Sequence, residues 1–259
     1  MSVLPQKYFV EKIAGDLVEV QVLIPPGASP ATYSLSPSQM KDLSDSQAWL
    51  RIGKIGFENA WYEKIEQGNP NLEFFDTSDS AKWIYGVEEV HGDHVHQHGV
   101  DPHIWMSPDE VVKIAELTFQ ALASLFPENA QAFEGNFEAF RSEIEALDRD
   151  LTAKFDRLEN RKFLIFHPAL TYFARDYNLV QVPMEVEGKE PSPKYMSELV
   201  KHSREDNIHV VFIQKEFDLE NAQQMAMELD GEVVQIDPLS EQWETQIREI
   251  ADKIVAALE

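Results

Sequence analysis

The chain has 259 residues, 43% hydrophobic and 26% charged, a globular composition with room for one large domain or two smaller lobes. Forty-six acidic residues against 22 basic ones leave a formal charge of −24, a surface that repels phosphate and anionic lipid and argues against nucleic acid or membrane-surface partners. Cysteine is absent, which removes disulfides, thiolate nucleophiles and zinc fingers, so a soft-metal site must use histidine and carboxylate.

No apolar run approaches the ~18–20 residues of a membrane span, and no signal-peptide pattern precedes Ser2. In chain order, Val18 to Ile24 predicts a strand, Pro25-Pro26-Gly27 a turn, and Ser36 to Ser46 a short polar helix. Trp49 to Gly53 predicts a second strand, Glu58 to Gln67 a helix and Leu72 to Asp76 a third strand. This alternation is that of an α/β lobe. The stretch from Val87 to Pro102 carries His91, His94, His96 and His98 among glycine and polar residues; without apolar periodicity it predicts an exposed, mobile loop.

From Asn129 to Leu158 the residues Phe133, Phe137, Phe140, Ile144, Leu147, Leu151 and Phe155 recur at spacings of three and four, the stripe of a long amphipathic helix. Its length, roughly 45 Å at 1.5 Å per residue, exceeds what one small sheet needs. The alternation then resumes with strands at Phe163 to Phe166, Val210 to Ile213 and Val233 to Ile236 and a helix at Thr171 to Tyr177. The expected organisation is an N-terminal α/β lobe over 1–127, a linking helix over 128–159 and a C-terminal α/β lobe over 160–259.

Ligand sites of open α/β sheets lie beyond the carboxyl ends of the strands, which singles out His167 and Asp237. A third candidate, His103, stands in Asp101-Pro102-His103-Ile104-Trp105. A lone histidine is more often a satisfied polar group than a ligand, and an Asp-Pro pair is usually only a turn. Two imidazoles and a carboxylate together suit Zn²⁺, and suit Mn²⁺ less as the imidazole count rises. The histidine-rich stretch reads either as a solvated surface segment or as a weak, exchangeable zinc collector. His202 and His209, beside the charged run from Lys201 to Asp206, are assigned no role. The chain has no Gly-x-Ser-x-Gly, no Gly-x-x-x-x-Gly-Lys and no His-Glu-x-x-His, so the common nucleophilic, phosphate-loop and zinc-peptidase signatures are missing.

Leu4-Pro5-Gln6-Lys7-Tyr8-Phe9-Val10, Pro25-Pro26-Gly27-Ala28-Ser29-Pro30, Asp101-Pro102-His103-Ile104-Trp105, Phe166-His167-Pro168-Ala169 and Asp237-Pro238-Leu239 together resemble the zinc/manganese solute-binding proteins of ABC importers. The order and spacing match over nearly the whole chain, as do the Glu185 to Pro193 stretch with Glu187, Gly188 and Pro191, the histidine-rich stretch just ahead of the Asp-Pro-His motif, and the long helix. The resemblance implies two α/β lobes with mostly parallel sheets, a rigid helix joining them, and one metal ion in the cleft, delivered to a membrane permease without catalysis. It further implies a monomer in the periplasm or anchored as a surface lipoprotein, with the export signal trimmed. Carried over by motif, the second, third and fourth metal ligands are His103, His167 and Asp237, and histidine at the third place favours zinc. The family's first ligand, a histidine after Pro30, is here Ala31. Water, a carboxylate or a histidine of the 91–98 stretch could fill that place. Two other readings remain open: a zinc hydrolase with three protein ligands and a bound water, for which Glu187 could serve as base, and a degenerate metal-binding adhesion or interaction protein.

Overall fold

The computed structural model describes residues 1–86, 99–185 and 191–259, with the backbone of 88–91 and 94–97. The described chain divides into two compact units.

The first unit holds Met1–Gly86, Gly99–Ala146 and Leu239–Gln242. It opens with helix α1 (Leu4–Ala14), which buries Phe9, Val10 and Ile13. The Gln6 side chain turns back to accept the Ser2 and Val3 amides at 3.0 and 3.2 Å, satisfying donors that every helix start leaves without an intrahelical partner. Helix α2 (Pro37–Ser44) is capped by Ser36, whose hydroxyl accepts the Gln39 amide, as serine at this position does generally. Strand β1 (Ala48–Arg51), helix α3 (Gly56–Gly68) and strand β2 (Glu73–Asp76) form one crossover unit, β1 and β2 pairing in parallel from Ala48↔Glu73 to Arg51↔Asp76. At the exit of β1, Gly53 has φ +95° and a Cβ there would lie 2.2 Å from Asp76 Oδ2. Only glycine satisfies both conditions.

The segment Val18 to Ile24 is not a named strand. Met1 donates to the Gln21 carbonyl at 2.9 Å, and the Leu23 and Ile24 amides donate to the Met1 and Ser2 carbonyls. These bonds tie Gln21, Leu23 and Ile24 to the residues ahead of α1, but they do not extend into the continuous ladder that a strand requires. Beside it a cavity of about 440 Å³ is lined by Met1, Val18, Val20, Leu43, Ala48 and Leu50, among others.

Two short antiparallel strands, β3 (Glu88–His91) and β4 (His94–Gln97), replace the irregular loop expected over 87–102, and Tyr85 bridges Val100 next to them. Two residues, Gly92 and Asp93, separate them in sequence. A Gly-Asp pair between short runs is a hairpin signal that the polar composition obscured.

Helix α4 (Pro108–Leu125) begins at Ser107, which accepts the Glu110 amide, and buries Val111, Ile114, Ala115 and Leu122. Helix α5 (Ala130–Phe155) follows. Its apolar stripe is buried throughout, from Phe133 to Phe155, and it contributes residues 130–146 to the first unit and 147–155 to the second.

The rest of the second unit is Leu147–Pro238 and Trp243–Glu259. Strands β5 (Lys162–Ile165), β6 (Val180–Pro183), β7 (Val210–Gln214) and β8 (Glu232–Ile236) form a parallel sheet in the order β6-β5-β7-β8. Helices α6 (Thr171–Asp176), α7 (Pro193–Glu205), α8 (Glu220–Glu228) and α9 (Trp243–Leu258) complete the unit. The two inner strands are apolar on both faces, Val211, Phe212 and Ile213 all being buried, as a sheet covered on both sides requires. Leu164, Met184, Leu199, Val211, Ile213 and Met225 form one core cluster. The carboxyl ends of all four strands deliver polar side chains at one edge: Glu185 after β6, His167 after β5, Gln214 and Lys215 at the end of β7, and Asp237 directly after β8.

Candidate metal centre

His167 leaves the sheet two residues beyond β5, and three groups fix it. Gln214, buried in the second unit, donates through Nε2 to the His167 carbonyl at 2.6 Å and accepts the His167 amide through Oε1 at 3.4 Å. The imidazole stacks on Phe217, with centroids 5.3 Å apart and planes at 29°. Its Nδ1 lies 2.5 Å from Glu185 Oε2. Glu185 is only 10% exposed, so this contact is protected from water and gains from the low local dielectric. A carboxylate on Nδ1 selects the neutral tautomer that carries its lone pair on Nε2, the arrangement that metal-bound histidines commonly use.

His103 of the first unit is built the same way from different local structure. It caps a single 3-10 turn, Ile104–Met106, whose three side chains are buried. Asp101 Oδ1 accepts the His103 amide at 2.9 Å and lies 2.8 Å from His103 Nδ1. One carboxylate oxygen therefore fixes both the backbone turn and the ring. Trp105 stands edge-on to the imidazole at 5.3 Å. Both candidate histidines thus share one device, a carboxylate on Nδ1, supplied two residues upstream in one case and from the neighbouring strand's end in the other.

Asp237 emerges at the end of β8 and is 20% exposed, with Lys215 Nζ 2.9 Å from its Oδ2. The carboxylate holds the Lys215 ammonium above its ordinary value, chiefly through this hydrogen bond. Ala31 is exposed and tethered to the start of α3. The Pro30 carbonyl accepts the Phe57 amide at 3.0 Å, and the Ala31 amide donates to Ser29 Oγ at 3.3 Å.

The second unit brings His167 and Asp237 to one sheet edge; His103 and Ala31 belong to the first unit. Neither unit gathers, among its described residues, three histidine, aspartate or glutamate side chains able to hold a metal ion. The side chains of His91, His94 and His96, and all of His98, Glu187 and Gly188, lie outside the described residues; in the backbone register His91 faces His94 and Glu89 faces His96. His202 is exposed beside Glu205, and His209 Nδ1 contacts the Leu229 carbonyl at 2.8 Å.

Sequence reasoning missed the supporting groups Asp101, Glu185 and Gln214. Asp101 could have been found, because an aspartate two residues before a histidine can accept both its amide and its ring N–H. Glu185 and Gln214 carry no local signal, since they reach His167 across the strand order of the sheet.

The chain matches the ZnuA family, described as "Zinc-uptake complex component A periplasmic", over residues 1–257. It is 27% identical over 229 residues to the zinc-binding lipoprotein AdcA of Streptococcus pneumoniae serotype 4, a match covering 82% of this chain and 44% of AdcA. The chain thus spans less than half the length of that relative. A crystal structure of ZnuA superposes with a TM-score of 0.92 at 38% identity, covering all of this chain and 97% of that one. A ZnuA deletion mutant with zinc bound superposes with a TM-score of 0.91 at 39% identity, covering 100% and 96%. A family match over all but the last two residues, joined to a fold shared end to end, makes this chain a member of the ZnuA family of zinc-uptake components.

Proposed function

We propose that this chain captures Zn²⁺ as cargo through His103, His167 and Asp237 and hands it to the membrane permease of an ABC importer, acting in the periplasm or from a surface anchor and catalysing no reaction. The observation that carries the reading is the pair of anchored imidazoles: His103 on Asp101 and His167 on Glu185 each have Nδ1 held by a carboxylate, which presents Nε2 to a metal. Two imidazoles with one carboxylate make a donor set that fits zinc better than manganese. The ZnuA and AdcA relatives support zinc as the cargo by their names. The missing imidazole at residue 31 leaves a fourth position for water or another side chain, and the histidines of the 91–98 stretch serve as a weaker collector.

Isothermal titration of metal-stripped protein tests the proposal. One tight zinc per chain is expected, with weaker additional sites, and a His103→Ala, His167→Ala double variant should lose the tight site. Tight binding that survives this double change in a folded protein overturns the assignment.

A further inference from the structure

The four residues Gln214 to Phe217, at and just beyond the end of β7, touch both of the second unit's candidate ligands. Gln214 brackets the backbone of His167 at 2.6 and 3.4 Å, and Phe217 stacks on its ring. Lys215, between them, reaches the other way to Asp237 at 2.9 Å. The backbone of this segment is anchored by its two neighbours: Gln214 is 2% exposed, and Phe217 packs on Phe166 with centroids 5.2 Å apart. The lysine side chain is 58% exposed, against 20% for the aspartate. An ammonium on a flexible, largely hydrated stem can therefore leave the carboxylate for water without disturbing the segment that carries it.

We infer that Lys215 is the exchangeable counter-ion of Asp237: it neutralises the carboxylate when no cation is bound and is displaced when zinc takes that oxygen. The inference rests on Asp237 being a zinc ligand, as proposed above. Loading is then an exchange of one cation for another rather than addition to a bare carboxylate. The displaced ammonium stays tethered within a side chain's length of the dication. Both effects lower affinity, and the second favours release of the cargo. Exposed ion pairs are individually weak, so the lever is modest: zinc should bind three- to tenfold more tightly when the charge is removed.

Chelator-competition titrations with Lys215→Met, Asp237→Asn and the double variant test this, alongside the Lys215 ζ-¹⁵N chemical shift in wild-type protein with and without zinc. The expected results are tighter binding in Lys215→Met, weaker binding in Asp237→Asn, no gain from Lys215→Met when Asp237 is already asparagine, and a lysine resonance that moves to its hydrated position when zinc is added. Unchanged affinity in Lys215→Met, with Asp237→Asn at least tenfold weaker, overturns the counter-ion role while leaving the ligand assignment intact. Unchanged affinity in Asp237→Asn removes Asp237 from the ligand set and the inference with it. An equal gain from Lys215→Met in both backgrounds also overturns it, because the effect would then not act through Asp237.

Discussion

Glu185 is the strongest test of how the second unit prepares a ligand. Its Oε2 lies 2.5 Å from His167 Nδ1, and the two side chains are 10% and 26% exposed. Glu185→Ala removes the acceptor that fixes the ring's tautomer and leaves water to solvate Nδ1 through the exposed side. The fold should survive, because the backbone of His167 stays bracketed by Gln214 and its ring stays stacked on Phe217. The loss falls on metal affinity: supporting carboxylates of this kind are worth about 10- to 100-fold, or about 1.4–2.8 kcal/mol. Glu185→Gln keeps an oxygen acceptor but loses the charge, which reduces a charge-assisted bond to a neutral one, so about a tenfold loss is expected. The assay is competition for zinc against a calibrated chelator, with circular dichroism and thermal melts confirming the fold. A zinc affinity unchanged in a folded Glu185→Ala protein refutes the reasoning, for it would mean that His167 either needs no support or is not a ligand.

Ala31→His should strengthen zinc binding about 10- to 100-fold, or about 1.4–2.8 kcal/mol, by closing an open coordination position; chelator competition measures it, and no gain would mean residue 31 does not face the metal. Glu58 is fully buried and accepts the Ile52 and Gly53 amides at 2.8 and 2.5 Å as well as the Ser2 hydroxyl. Glu58→Ala leaves those donors stranded and should cost about 2–5 kcal/mol, read as a lower urea midpoint.

Much of the second unit was legible because its inner strands are short, wholly apolar runs, and Val211 to Ile213 can be nothing but core. The α5 stripe was legible for the complementary reason, a 3.6-residue period sustained over seven turns. Val18 to Ile24 shows the limit: its alternation is that of a strand, yet a strand is a property of a pair, and no local pattern reports which segment, if any, pairs with it. The 87–102 stretch failed the other way, since its histidines and acids masked a Gly-Asp hairpin signal between two valines. His103, His167 and Asp237 were singled out as candidates from motif and strand-end position, and the sheet order places His167 and Asp237 at one edge. Glu185, Gln214 and Lys215 were not singled out, because what selects them is adjacency across the β6-β5-β7-β8 order, which a linear reading does not contain.

The central claim, that this chain holds one zinc through His103, His167 and Asp237, is tested most directly by anomalous diffraction at the zinc edge from zinc-loaded crystals. The account predicts one strong peak within about 2.0–2.2 Å of Nε2 of His103, Nε2 of His167 and a carboxylate oxygen of Asp237, with the two Nδ1 atoms still on Asp101 and Glu185. A strong peak whose protein ligands exclude His103 and His167, or coordination through Nδ1 with Asp101 and Glu185 displaced, would contradict it.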